Sequence, residues 1–74
     1  ETGPALHSAS VEALTSRELS VLRDLPSLLS VEQMAEAHVV SANTVKTHLK
    51  AIYRKLGVSS RREAVDRARE LGLL

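Results

Sequence analysis

Four times along this chain a hydroxyl residue stands just ahead of a helical pattern of apolar residues. Thr15 with Glu18, Ser30 with Gln33 and Ser60 with Glu63 share one spacing. In it the side chains of the first and fourth residues satisfy each other's otherwise orphaned backbone N–H groups. Ser41 opens the remaining segment, third along the chain, without an acidic or amide partner. Stop signals follow three of the starts. Pro26 cannot continue a regular helix, and Gly57 and Gly72 supply left-handed caps. The spacing predicts helices over about 16–25, 31–37, 42–56 and 61–71. Leu19, Leu22 and Leu25 face inward on the first. Val31, Met34, Ala35 and His38 share one face of the second. No useful length alternates with period two, so an all-α tetrahelical bundle is expected, with no sheet.

The third helix is two-faced. With Val45 set at zero and ~100° per residue, Leu49, Ile52 and Leu56 fall at about 40°, about −20° and about 20°. They make a narrow apolar stripe. Asn43, Lys50, Arg54 and Thr47 fall at about 160°, about 140°, about 180° and about 200°, with Lys46 at the border at about 100°. Charge is concentrated in the same region. Residues 41–62 carry Lys46, Lys50, Arg54, Lys55, Arg61 and Arg62 and no acid, whereas residues 1–40 carry two arginines against six acids. The formal net charge of +1 conceals this gradient. A local basic surface suits a polyanion.

A short helix and a short turn ahead of such a helix is the helix-turn-helix order, with the second helix as reader. A major groove admits one α-helix. There Lys can donate to guanine O6 and N7, Asn can pair with adenine, and a Thr methyl can meet the thymine methyl. Asn43, Lys46, Thr47 and Lys50, near the helix start, are therefore candidate base readers. Arg54 and Lys55 are candidate phosphate contacts, joined by Arg61 and Arg62 at the start of the fourth helix, where free N–H groups also favour an anion.

Seventy-four residues make one domain, with residues 1–13 read as a tail or linker and 14–74 as the folded unit. A chain beginning at Glu1 rather than Met is expected to be part of a longer protein. There is no cysteine, which removes disulfides and thiolate metal sites and fits a reducing, cytoplasmic setting. No apolar run approaches ~18 residues, so no membrane span is expected. Tyr53 is the only aromatic residue. That argues against readers of single strands, which stack bases on aromatic rings. His7, His38 and His48 share no ligand spacing, so no metal or other cofactor is expected. No nucleophile motif or glycine-rich phosphate loop is present, so an enzyme is not expected. His48, at about −60° on the wheel, is read as packed or phosphate-facing. On the fourth helix Ala64, Val65 and Ala68 share a side of small residues. They either pack on this domain's own core or let a second helix approach.

The stretch LTSREL at 14–19 with MAEAHVVSANTVKTHLKAIYRKLGVSSRREAV at 34–65 resembles the LuxR-type DNA-binding domain. The resemblance covers about residues 14–74. Its specific core is Thr44-Val45-Lys46, His48, Ile52-Tyr53 and Lys55 to Val58, with Arg62 and Ala64 downstream. The wording around residues 25–30 and the ending RARELGLL are most similar to the C-terminal domain of the family's large ATP-binding activators. The resemblance implies a four-helix domain that dimerises through helix 4, at Ala64, Val65 and Ala68, and binds inverted-repeat promoter DNA. It further implies that Lys46, Thr47 and Lys50 occupy base-contacting positions and that Thr44 meets a backbone phosphate. Two positions depart from the pattern: Leu28 stands where the family usually has Gly, and His38 where an apolar residue is usual.

The expected function is sequence-specific binding of double-stranded DNA by a bacterial transcriptional regulator. Its partners would be promoter DNA, a second copy and RNA polymerase, in the cytoplasm at the nucleoid. Two alternatives stand beside it. One is a protein-interaction module using Leu28, Leu29 and Leu71 to Leu74. The other is the promoter-reading domain of a sigma factor, which would need polymerase for tight binding.

Overall fold

The computed structural model describes residues 13–74, so the expected tail falls almost wholly outside the described residues. Four helices and no strand occur among them: α1 Ser16–Asp24, α2 Val31–His38, α3 Ala42–Leu56 and α4 Arg61–Glu70. α3 packs against each of the other three. Its stripe of Val45, Leu49, Ile52 and Leu56 meets Val21, Leu22 and Leu25 of α1 and its C-terminal cap, Met34 and Ala35 of α2, and Ala64, Val65 and Ala68 of α4. Val45 and Ile52 are fully buried, as are Leu22 and Met34.

The caps explain where the helices start. Thr15 and Ser30 each accept from the fourth residue's N–H while Glu18 and Gln33 accept from theirs, closing two reciprocal boxes. The third expected box closes only halfway. Ser60 accepts from the Glu63 N–H, but the Glu63 carboxylate reaches past the cap to the Ser59 N–H at 2.8 Å and the Ser59 hydroxyl at 3.1 Å. Those Ser59 donors, backbone first, hold the Glu63 carboxyl below its usual value against a small opposing effect of burial.

The ends differ by one residue from expectation. α1 stops at Asp24 because the Leu25 N–H closes a tight bond to the Leu22 carbonyl at 3.1 Å ahead of Pro26. α2 gains His38, and α4 stops at Glu70, with Gly72 left-handed beyond it. Val21 rather than Leu19 completes the inward face of α1; Leu19 and Val31 are half-buried.

The two departures noted in the sequence settle differently. Leu28 needs no positive φ and its side chain stands fully in solvent. His38 stays out of the core and pairs with Asp24, Nε2 to Oδ2 at 2.6 Å, tying α2 to α1. The unusual backbone lies one residue later. Val39 is left-handed at φ 56°, and there the Val39 and Val40 N–H groups close the end of α2 on the Glu36 and Ala35 carbonyls. A β-branched residue is strained in this conformation.

Candidate nucleic-acid interface

α3 begins without an acid in its first turn. Ser41 caps it by accepting the Thr44 N–H at 3.1 Å. The positive end of the helix dipole is therefore uncompensated by any side chain of that turn. From this end Asn43, Lys46, Thr47, Lys50 and Arg54 project from the arc opposite the buried stripe, and all five are exposed. Lys46 and Lys50 stand one turn apart. With Asn43, Thr47, Leu49 and Tyr53 they line a shallow open trough of about 480 Å³. The Thr47 hydroxyl donates to the Asn43 carbonyl at 3.0 Å. The five candidates thus share one surface with no carboxylate among them.

Three other candidates are placed differently. Thr44 is half-buried and its hydroxyl shares a hydrogen bond with Ser41 at 3.0 Å. Lys55 points inward. Its Nζ lies 2.8 Å from Glu18 Oε1 and 3.2 Å from the Ala13 carbonyl. Arg61 is a bracket for the α1–α2 loop. Its Nε donates to the Leu25 carbonyl at 3.0 Å, Nη1 to Leu29 at 2.7 Å and Nη2 to Ser27 at 2.9 Å. Lys55 and Arg61, both expected to face phosphate, each have oxygen partners within the fold. The small residues of α4 are interior as well: Ala64 and Ala68 have no exposed surface and Val65 is 9% exposed. All three pack on the domain's own core.

Sequence reasoning missed Glu18 as a buried group. Burial raises its pKa, but the Lys55 hydrogen bond, the Thr15 N–H and the Lys55 charge outweigh that and hold the carboxyl below its ordinary 4.5. A clue was present, since Lys55 falls at about −80° on the wheel, off the outward arc. Nothing in the sequence links Arg61 to carbonyls 32 to 36 residues earlier. Tyr53 is half-buried, and burial pushes its phenol above 10.0 while the Arg61 charge pulls it back. His48 is half-buried too, lining a cleft of about 80 Å³ with Arg17, Ser20, Val21, His38 and Val40. Among the described residues no cluster of metal-ligating side chains occurs, and no helix is long and apolar enough to cross a membrane.

Residues 12–68 match the family described as bacterial regulatory proteins, luxR family. The chain belongs to that family. Over 58 residues it is 47% identical to the HTH-type transcriptional regulator MalT of Serratia proteamaculans (strain 568), a match that covers 78% of this chain and 6% of that protein. It is similar in structure to the response regulator ChrA of a heme-sensing two-component system. There the TM-score is 0.81 and the identity 44%, over 85% of this chain and 31% of the other. The LuxR-type domain and the all-α four-helix fold expected from the sequence are both upheld. The chain spans only a small part of the length of each relative.

Proposed function

We propose that this luxR-family domain binds double-stranded DNA sequence-specifically by laying α3 in the major groove. The observation that carries the reading is the outward arc of α3: Asn43, Lys46, Thr47, Lys50 and Arg54, all exposed, opposite a buried apolar stripe and with no carboxylate among them. Asn43, Lys46, Thr47 and Lys50 read base edges; Arg54 and Arg62 meet phosphates, as does Thr44. The family relationship and the likeness to the transcriptional regulator MalT support a role in controlling transcription. The output is activation through RNA polymerase at a promoter, in the cytoplasm, under a signal received elsewhere in a longer protein.

Two copies bind an inverted repeat, with their reading helices about one helical turn of DNA apart, ~34 Å. Because Ala64, Ala68 and most of Val65 are interior, the outer face of α4 available to a partner is charged: Arg62, Asp66 and Arg69. In an isologous contact the same patch meets itself, so Asp66 of each copy can face an arginine of the other. Val65→Glu would therefore unfold the domain rather than separate two copies; Asp66→Arg is the variant that leaves the core intact.

Selection of bound sites from random duplex DNA tests the reading. A recovered inverted repeat, bound without polymerase and more weakly at higher salt, is expected. Equal affinity for every duplex would refute sequence recognition. Tight binding only with polymerase present would favour the sigma-factor alternative. The protein-docking alternative is weakened by Leu29, Leu71 and Leu73, which pack against the core and leave Leu28 and Leu74 as the exposed leucines among the described residues.

A further inference from the structure

The ion pair between Lys55 and Glu18 is not used by the groove-reading surface, yet it joins three places in the fold. One carboxylate oxygen, Glu18 Oε1, accepts the Thr15 N–H at 3.0 Å and the Lys55 ammonium at 2.8 Å. The same ammonium donates to the Ala13 carbonyl at 3.2 Å, where the chain enters the domain. The two side chains are only 13% and 9% exposed. The start of α1, the chain ahead of it and the last turn of α3 are thus fixed to one another.

The position of this tie decides what it does. The apolar stripe of α3 occupies a narrow arc, from about −20° to about 40° around Val45. A rod held along a narrow seam resists sliding better than rolling. Lys55 lies at about −80° and the half-buried Tyr53 at about 80°, so the helix is held on both flanks of the seam. A roll of about 10° would carry an atom ~6 Å from the axis through about 1 Å. Hydrogen-bond distances have a useful range of only about 0.5 Å. Base-edge contacts from Asn43, Lys46 and Lys50 would fail at such a displacement, whereas long flexible stems could still follow a phosphate.

We propose that Lys55 is a positioning residue for sequence readout: tied to Glu18 and the Ala13 carbonyl, it sets the roll of α3 and makes no phosphate contact. The inference rests on the reading of α3 as the groove helix. The test compares the full chain, Lys55→Met and Glu18→Gln on two duplexes over a range of salt. One duplex is the site that the unsubstituted chain selects from random DNA; the other is a scrambled duplex of the same composition. If the unsubstituted chain does not prefer its selected site, the groove reading itself fails, and this inference falls with it. Given that preference, Lys55→Met should lower the ratio of selected to scrambled affinity about tenfold and Glu18→Gln about threefold, the range of a weakened base contact. The dependence on salt should stay as it was. Three outcomes would overturn the inference while leaving the groove reading intact. One is a salt slope flatter by about 0.9 for Lys55→Met with equal loss on both duplexes, the mark of a phosphate contact. Another is tighter binding to both duplexes with a steeper slope for Glu18→Gln, as if Lys55 had been released to the DNA. The third is an unchanged ratio in both variants. Should Lys55→Met fail to fold, Glu18→Gln decides alone, since it keeps the side-chain volume and an acceptor for Thr15.

Discussion

Arg61→Met separates the two employments open to a cation at the start of α4. Methionine keeps an unbranched stem and removes the guanidinium, so packing along the stem is largely retained. Three hydrogen bonds disappear, two to partly buried carbonyls at 3.0 and 2.7 Å and one to an exposed carbonyl at 2.9 Å. Bonds to a charged group are worth about 1.5–3 kcal/mol each where sheltered, and water can recover some of the loss at a loop. Taking about 1–1.5 kcal/mol for each sheltered bond and almost nothing for the exposed one gives a destabilisation of ~2–3 kcal/mol. In a domain this small that lowers Tm by roughly 8–24 °C. Helical circular dichroism during heating measures it. A second readout comes from Tyr53. Burial raises its phenol and Arg61 opposes the rise, so losing the charge should move it further up. Because Tyr53 is the only tyrosine and no tryptophan is present, absorbance during an alkaline titration follows that one group. The reasoning is refuted if Tm stays within about 2 °C of the parent while the salt slope of DNA binding flattens by about 0.9, the signature of a lost phosphate contact. A Tyr53 midpoint that does not rise, in protein still helical, would remove Arg61 from its neighbourhood.

Val39→Gly relieves a left-handed β-branched residue whose side chain is 88% exposed, so no packing is lost. Relief of about 1–2 kcal/mol against a glycine entropy cost of about 0.5–1 leaves a net gain of ~0.5–1 kcal/mol, visible as a higher Tm in a thermal melt. Lys50→Ala should cost ~1–3 kcal/mol on the selected site and relax preference at one base pair in a repeated selection; an equal loss on every duplex would make it a phosphate contact. Glu18 has a folded pKa below its unfolded 4.5, so the stability it contributes is fully present above that value and is lost as pH falls through the folded pKa. Melts taken from neutral pH down through the acid range should show this loss, and Glu18→Gln should show less of it.

The fold was legible because its signals are local. The Thr15 and Ser30 boxes, the Ser41 and Ser60 caps and the Gly57 stop each act within a few residues, and each ends or begins a helix within one residue of the expected place. Helical periodicity then placed the α3 stripe correctly, because burial and angle are the same quantity for a straight helix on a single core. What escaped was non-local. The Glu18–Lys55 pair spans 37 residues, the Arg61 bracket 32 to 36, and the Asp24–His38 pair joins two helices across a loop. A capping acid looks the same in sequence whether it ends in solvent or, like Glu18, under a lysine. Val39 gave no warning because nothing in its own chemistry favours a positive φ; the helix end is imposed by Val40 returning its N–H to Ala35 at 3.0 Å.

The same distinction governs how the basic stretch should be read. Six cations in residues 41–62 suggest six potential phosphate or base contacts, but charge density counts residues and not directions. On α3 the wheel already separates them. Lys46, Lys50 and Arg54 lie between about 100° and about 180° and are exposed, while Lys55 lies beyond the opposite flank and is drawn to a carboxylate on α1. At the start of α4 the same count puts Arg61 at about 60° from Ala64, on the side of the buried Ala68 and Val65, and Arg62 at about 160°, and only the first reaches the loop carbonyls. A cation taken up by the fold still lowers the free energy of a bound phosphate through space, but weakly, since screening acts over about 10 Å at ordinary salt. Removing it from the groove therefore sacrifices little affinity. A freely moving cation beside α3 would add attraction to any duplex alike, whereas one that fixes the roll of the helix adds only to the duplex whose bases fit.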